Sequence, residues 1–185
     1  MNNLELSMSN RAKAYEDVSL FSLTRDLHHA CEEHPVGNAM SKGDVNEQWW
    51  ADWLGVLHAA HSVLDKEIDE RFGCVDKLEQ DIKASNVSPR ECVSALAMVE
   101  RLKQDKNFLL AAHYVLTGAH LMGGQVMRKT IGDRLPTAHL QLGDRKDMLQ
   151  HWMPMRERVD LADEARDVFK CLLDIMDDIV ANDYA

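Results

Sequence analysis

Residues that punctuate a chain are scarce here: four prolines and nine glycines in 185 positions. Alternation of apolar and polar residues at the period of a strand is almost missing, so a β architecture is not expected. No apolar run reaches about 18 residues, which leaves no membrane-spanning helix to expect. No segment repeats, and none is of low complexity. The four cysteines (Cys31, Cys74, Cys92 and Cys171) lie far apart. None forms a CxxC pair, and no histidine completes a zinc-finger spacing, so free thiols in a reducing cytoplasm are expected. The opening MNNLELSMSNRAKAYEDVS lacks the charged-then-apolar layout of a secretory signal and is too acidic for a transit peptide. The formal net charge of −10 argues against nucleic acid as the main partner, because phosphate binding needs a basic surface. No flavin or nicotinamide fingerprint is present.

What remains reads as helix nearly throughout. The spacing predicts helices over about 18–33, 46–71, 75–84, 88–103 and 107–131, with short ones over 146–159. A last amphipathic helix is expected after Asp160, its apparent cap. Pro35 and Gly37 are read as ending the first helix. Ser88-Pro89-Arg90-Glu91 has the form of a helix start, with Ser as N-cap and Glu three residues later. Leu161, Ala165, Val168, Phe169, Leu172, Leu173, Met176, Ile179 and Val180 form the stripe of the last helix. The 45% hydrophobic content supports one core. The fold class is therefore all-α, a single-domain helical bundle over 16–185, preceded by a flexible segment over 1–15. The final four residues are expected to fray.

The stretch from Tyr114 to Lys129, YVLTGAHLMGGQVMRK, carries the most information. Gly123 and Gly124 stand side by side inside a helical pattern, each costing roughly 0.5–1 kcal/mol relative to Ala. Such a pair lets a helix bend and lets a flat ligand approach bare backbone. It equally suits a close helix–helix crossing.

Histidines are the second feature. In the first helix Leu20, Leu23, Leu27 and Ala30 define one face, with Phe21, Thr24, His28 and Cys31 beside it. This turns His28 inward and His29 outward. An inward His is commonly a satisfied core residue, yet a neutral imidazole is also a good axial ligand for haem iron. Glu32, one turn on, can hold the ring. His58 and His61 could share a metal but read as core, and His113 or His120 could enter a cavity at the kink. Trp49, Trp50 and Trp53 read as core and rim, and Asp177-Asp178 as a solvated face.

The order of these pieces resembles the heme oxygenase family over most of the chain from about Val18 onward. TRDLHHACE is similar to the family's proximal segment, mapping to Thr24, Arg25, the iron ligand His28, and Glu32. HSVLDKEID resembles the family's run of aromatic and aliphatic residues leading into acidic ones. Tyr114 and LMGGQVMRK resemble the Tyr and LSGGQVLKK of its distal signature. The resemblance implies haem sandwiched between a proximal helix and a kinked distal helix, serving as substrate and cofactor. It implies ring opening to biliverdin with release of CO and ferrous iron, using O2 and an external reductant such as ferredoxin. A downstream bilin reductase and a cytoplasmic location follow as expectations. The implied cofactor contacts are Thr24, Arg25, Glu32, Ala119, Gly123, Arg156 and Arg158. Tyr114, His120, Gly123, Gly124 and Gln125 form the implied catalytic side. Arg128, Lys129 and Arg134 offer a docking patch for an acidic electron donor.

The distal motif departs from the family at three positions, reading Ala119, His120 and Met122 where the family has Gly, Asp and Ser. The family's Asp anchors the water that delivers a proton. His120 either takes over that role, binds iron as a sixth ligand, or leaves the waters to another group. A haem sensor with His28 and His120 on iron is thus the main alternative. A thiamine-type helical enzyme and a plain interaction module are further ones, while a di-metal oxidase lacks its Glu-x-x-His pairs.

Overall fold

The computed structural model describes residues 18–184 and contains nine α-helices and no strand among them. In chain order they are α1 Leu20–Glu33, α2 Pro35–Lys42, α3 Glu47–Leu64, α4 Val75–Ala84, α5 Val93–Gln104, α6 Lys106–Met122, α7 Gly124–Ile131, α8 Arg145–Trp152 and α9 Ala162–Ala181. Single 3₁₀ turns at Glu70–Phe72, Gly132–Arg134, Ala138–Leu140, Met153–Glu157 and Val159–Leu161 join them. The expected segment 1–15 and the first two residues of the expected domain lie outside the described residues. No helix is long and apolar enough to cross a membrane among the described residues.

Two helices are apolar almost all round, the signature of a buried helix. These are α3, with Trp50, Trp53, Leu54, Val56, Leu57 and Leu64 buried, and α6, buried at nearly every position from Phe108 to Leu121. Around them, α9 packs on α1, α5 and α6, while α3 packs on α4 and α5. The stripe of α9 is buried as expected at Ala165, Val168, Phe169, Leu172, Met176 and Ile179, and Ile175 joins it.

Several boundaries differ from the sequence reading, each for an identifiable reason. Pro35 does not merely end α1. It starts α2 from the first-turn position, where its missing N–H costs nothing, and the His34 ring accepts from the Val36 N–H. The expected helix over 46–71 stops at Leu64, because the Asp65 carboxylate is committed to the Cys74 and Val75 N–H groups, both at 2.8 Å. α5 begins at Val93 rather than near Ser88. Arg90 is held by buried Asp52, which accepts from its N–H at 2.7 Å and from its guanidinium at 2.7 and 2.9 Å. Asp160 pairs with Arg158 instead of capping α9, which has no side-chain cap. Asp177 and Asp178 are engaged: Asp177 meets His34, and Asp178 accepts from Ser94 N–H at 2.9 Å. Asn182 and Asp183 do not fray, since they bond Arg90, Glu91 and Trp49.

Candidate functional site

α1 presents a stripe to α9 that sits slightly off the expected face. Leu20, Thr24 and Cys31 are buried, whereas Leu23 is exposed. The Cys31 thiol reaches the Phe169 carbonyl, and Asp26 forms a two-pronged pair with Arg166 of α9 at 2.7 Å on each oxygen. Thr24 is placed in the core, its hydroxyl donating back to the Leu20 carbonyl at 2.8 Å, so it does not face a ligand. His28 is less inward than expected, its side chain being 40% exposed. Its ring is held edge-on between Phe21 and Phe169, with both centroids at 5.9 Å. Nδ1 lies 3.6 Å from a Glu32 carboxylate oxygen, which also stands 3.4 Å from His29 Nδ1. A carboxylate behind Nδ1 is the arrangement that raises the basicity of a ligating imidazole.

Near the end of α6 the exposed positions are Ala119 and Met122, followed by Gly123 at the break and Val126 on α7. The helix breaks at Gly123, as expected of a kink. The break is gentle, because Gly123 keeps right-handed helical angles (φ −77°, ψ −34°) and its carbonyl still accepts from Val126 and Met127. The two glycines do different jobs. A Cβ on Gly124 would lie 3.1 Å from Leu140 Cδ2, so this residue serves a crossing. A Cβ on Gly123 would meet only the Ala119 carbonyl of the preceding turn, so its outer face is open. Gln125 donates to the Leu140 carbonyl at 2.9 Å and fixes the 138–140 turn rather than facing the open surface. Tyr114 is buried and stacked on Trp152 (5.3 Å, 4°), whose indole N–H donates to the Tyr114 carbonyl at 3.1 Å. Burial pushes the Tyr114 phenol up, and the Arg156 guanidinium opposes this.

Arg156 links the two helices. Its guanidinium lies 5.8 Å from the Phe21 ring centroid on α1, while its charge acts on Tyr114 of α6. Arg158 is already paired with Asp160 at 2.8 Å. Arg25 is exposed and makes no ion pair among the described residues. Of the proposed docking patch, Arg128, Lys129 and Arg134 are all exposed, and the Arg134 guanidinium is also bonded to the Val45 and Gly43 carbonyls.

His120 faces the core. Its ring stacks on His61 (5.4 Å, 17°) and meets His139 edge-on at 5.6 Å. Burial, with His61 and His139 nearby, holds its pKa well below the usual histidine range, so it is neutral. The other two rings are each pinned by an aspartate. Asp65 receives His61 Nδ1 at 2.8 Å, and Asp81 receives His139 Nδ1 at 2.6 Å together with the Ala138 and His139 N–H groups. His113 bonds Thr117 at 2.9 Å, and burial lowers its pKa to about 4. Sequence reasoning did not single out His139, Asp65 or Asp81. The Asp81–His139 pair joins residues 58 positions apart, beyond any helical spacing.

No protein-family model matches the sequence, and no curated protein does at the sequence level. Solved structures do match. Heme oxygenase-1 from the cyanobacterium Synechocystis sp. PCC6803, in complex with heme, superposes with a TM-score of 0.78 at 19% identity, over 88% of this chain and 91% of that chain. Heme oxygenase-2 from the same organism, in complex with heme and NO, gives 0.74 at 19% identity, over 86% and 83%. The heme oxygenase of Leptospira interrogans gives 0.72 at 15% identity, over 85% and 96%. The chain therefore has the all-helical fold of the heme oxygenases.

Proposed function

We propose that this protein is a heme oxygenase that opens haem to biliverdin, CO and ferrous iron. The observation that carries the reading is the half-exposed His28 imidazole, clamped between two aromatic rings with Glu32 behind its Nδ1. The remaining residues fit the same ligand. Gly123 and Ala119 offer bare or nearly bare backbone on an exposed helix face, which a flat macrocycle can approach closely. Arg156, over the Phe21 ring of α1 and with its charge acting on Tyr114 of α6, is suited to a propionate, and Arg25 supplies a second exposed cation.

Bound haem would supply the iron that activates O2 and the ring carbon that is oxidised. The protein's part is to hold and shape. His28 would hold the iron through its imidazole, with the Glu32 carboxylate beside Nδ1. Gly123 sets how closely the distal backbone approaches. His120, neutral and turned into the core, does not stand on the Ala119–Gly123 face, so proton delivery falls to ordered water. The same placement counts against a sensor with His28 and His120 both on iron. Electrons come from outside, with Arg128 and Lys129 as exposed cations for an acidic donor such as ferredoxin. A bilin reductase would consume the product. Free cysteines and the absence of a membrane-crossing helix among the described residues accord with work in the cytoplasm.

The test is hemin titration followed by reductant in air, with the whole visible spectrum recorded. One equivalent should bind, and the Soret band should then give way to a broad red bilin band. His28→Ala should weaken binding by at least about tenfold and abolish turnover. A stable six-coordinate spectrum without bilin would favour the sensor, and failure to bind haem would remove both readings.

A further inference from the structure

Behind the distal helix lies a second cluster that the haem reading does not use. His61 Nε2 and His120 Nε2 are both fully buried, and neither has a hydrogen-bond partner. Buried imidazole nitrogens are rarely left so, because an unmet polar atom in the core costs roughly 1–3 kcal/mol. One ring nitrogen of His61, one of His120 and the Cys74 sulfur lie within 4.8 Å of one another. All three residues are buried.

The surroundings are organised around these three groups. Asp65 accepts from His61 Nδ1, which fixes the tautomer and turns a lone pair outward from Nε2. The other oxygen of the same carboxylate accepts from the Cys74 N–H at 2.8 Å. One aspartate thus orients two of the three groups, the carboxylate–histidine arrangement typical of metal sites. Next to Cys74 and His120 is a small cavity of about 40 Å³, also bordered by Thr117, His139 and Met148. It is large enough for one water.

We propose that His61, Cys74 and His120 form a zinc-type metal site, with water from the adjoining cavity as fourth ligand. Two imidazoles and a thiolate suit a borderline cation such as Zn2+, whose bond lengths would draw the donors to roughly 3.3–3.7 Å apart. Binding replaces the thiol proton: Cys74–SH and M2+ give a Cys74–S–M bond and one released proton. The two positive charges are then matched by the thiolate and Asp65, so the core carries no net charge there. Burial pushes the free Cys74 thiol up, so the metal itself must stabilise its ionised form. His120, held neutral, is ready to ligate.

The experiment uses the whole chain, stripped with a chelator and titrated with Co2+ alone, then with Zn2+ in competition. The expected result is one equivalent of Co2+ with intense tetrahedral d–d bands and a sulfur-to-cobalt charge-transfer band, all bleached by Zn2+. Cys74→Ser should abolish the charge-transfer band, and His120→Gln should weaken binding by at least about tenfold. Cys171→Ser, which alters the most accessible thiol, should change neither. His28→Ala should keep the cobalt spectrum while losing haem, so failure here is separable from failure of the haem reading. Zn2+ should also raise the wild-type melting temperature and leave that of Cys74→Ser unchanged. Absence of tetrahedral cobalt bands, or a charge-transfer band that survives in Cys74→Ser, would overturn the site.

Discussion

At the scale of single residues, three glycines within seven positions face three different surroundings. Gly118 is the most confined, because a Cβ there would lie 2.6 Å from Trp152 Cζ2. The Trp152 ring cannot move away cheaply, since it is stacked on Tyr114 and bonded to its carbonyl. Gly118→Ala should therefore destabilise the fold by roughly 1–3 kcal/mol in urea denaturation, with the near-UV tryptophan signal altered. Gly123→Ala should behave oppositely. Its helical angles accept alanine, so stability should stay within about 1 kcal/mol of wild type. Haem affinity should nevertheless fall, because the new methyl group stands on the exposed face. Equal effects on both properties in the two variants would contradict this division. The sequence showed that the Gly-Gly pair was special. It left the crossing and the ligand readings side by side, and each glycine fits one of them. Spacing along the helix does not mark Gly118, because it cannot reveal that an indole 34 residues later packs on it.

At the scale of elements, the interiors of the helices were legible and several ends were not. The apolar stripes of α6 and α9 follow from period alone. The start of α4 at Val75 is as expected and that of α5 is not, and both have a cysteine at the N-cap with no side-chain cap of its own. Their first N–H groups are capped from elsewhere: Asp65 serves Cys74 and Val75, and Asp178 of α9 serves Ser94. A local motif such as Ser88-Pro89-Arg90-Glu91 loses to these tertiary partners, since Arg90 is drawn to buried Asp52 instead. Asp178→Ala removes the cap of α5 and also the partner of the Cys92 thiol. It should cost about 1 kcal/mol, the usual magnitude for a lost N-cap, read as a lower urea midpoint with an unchanged slope. If Asp178 were only part of a solvated acidic face, the substitution would leave the midpoint where it is. The iron-side residues were legible in a similar, partial way. Spacing placed His28 beside the apolar stripe, but its half-exposure depends on α9, which meets α1 at Cys31, Asp26, the Leu23 carbonyl and the His28 ring itself.

At the scale of the whole molecule, a histidine-lined interior makes stability depend on pH in a definite direction. His113 titrates at about 4 in the fold against an ordinary value of 6.5, because burial penalises its charged form. His120 is lowered well below its ordinary value for the same reason. Above pH 6.5 both are neutral folded and unfolded, so neither affects the balance. As pH falls below 6.5, the unfolded chain takes up protons that the folded chain refuses, and stability drops. At about 1.4 kcal/mol for each pH unit between the two values, His113 alone removes on the order of 3 kcal/mol by the time pH reaches its folded value. That is a large part of the 5–15 kcal/mol typical of a domain. Carboxylates such as Asp65, lowered by His61 and the Val75 and Cys74 N–H groups, contribute only at still lower pH. The urea midpoint should therefore fall steadily between about pH 6.5 and about pH 4. His113→Gln, which keeps a polar group able to meet Thr117, should flatten that slope while leaving the midpoint near neutral pH less changed. An unaltered slope in this variant would mean that other groups govern the acid transition. If Zn2+ occupies His61, Cys74 and His120, the metal holds His120 deprotonated until it is displaced. Added Zn2+ should then shift the acid transition downward in the wild type and not in Cys74→Ser, joining the stability of the fold to the second site.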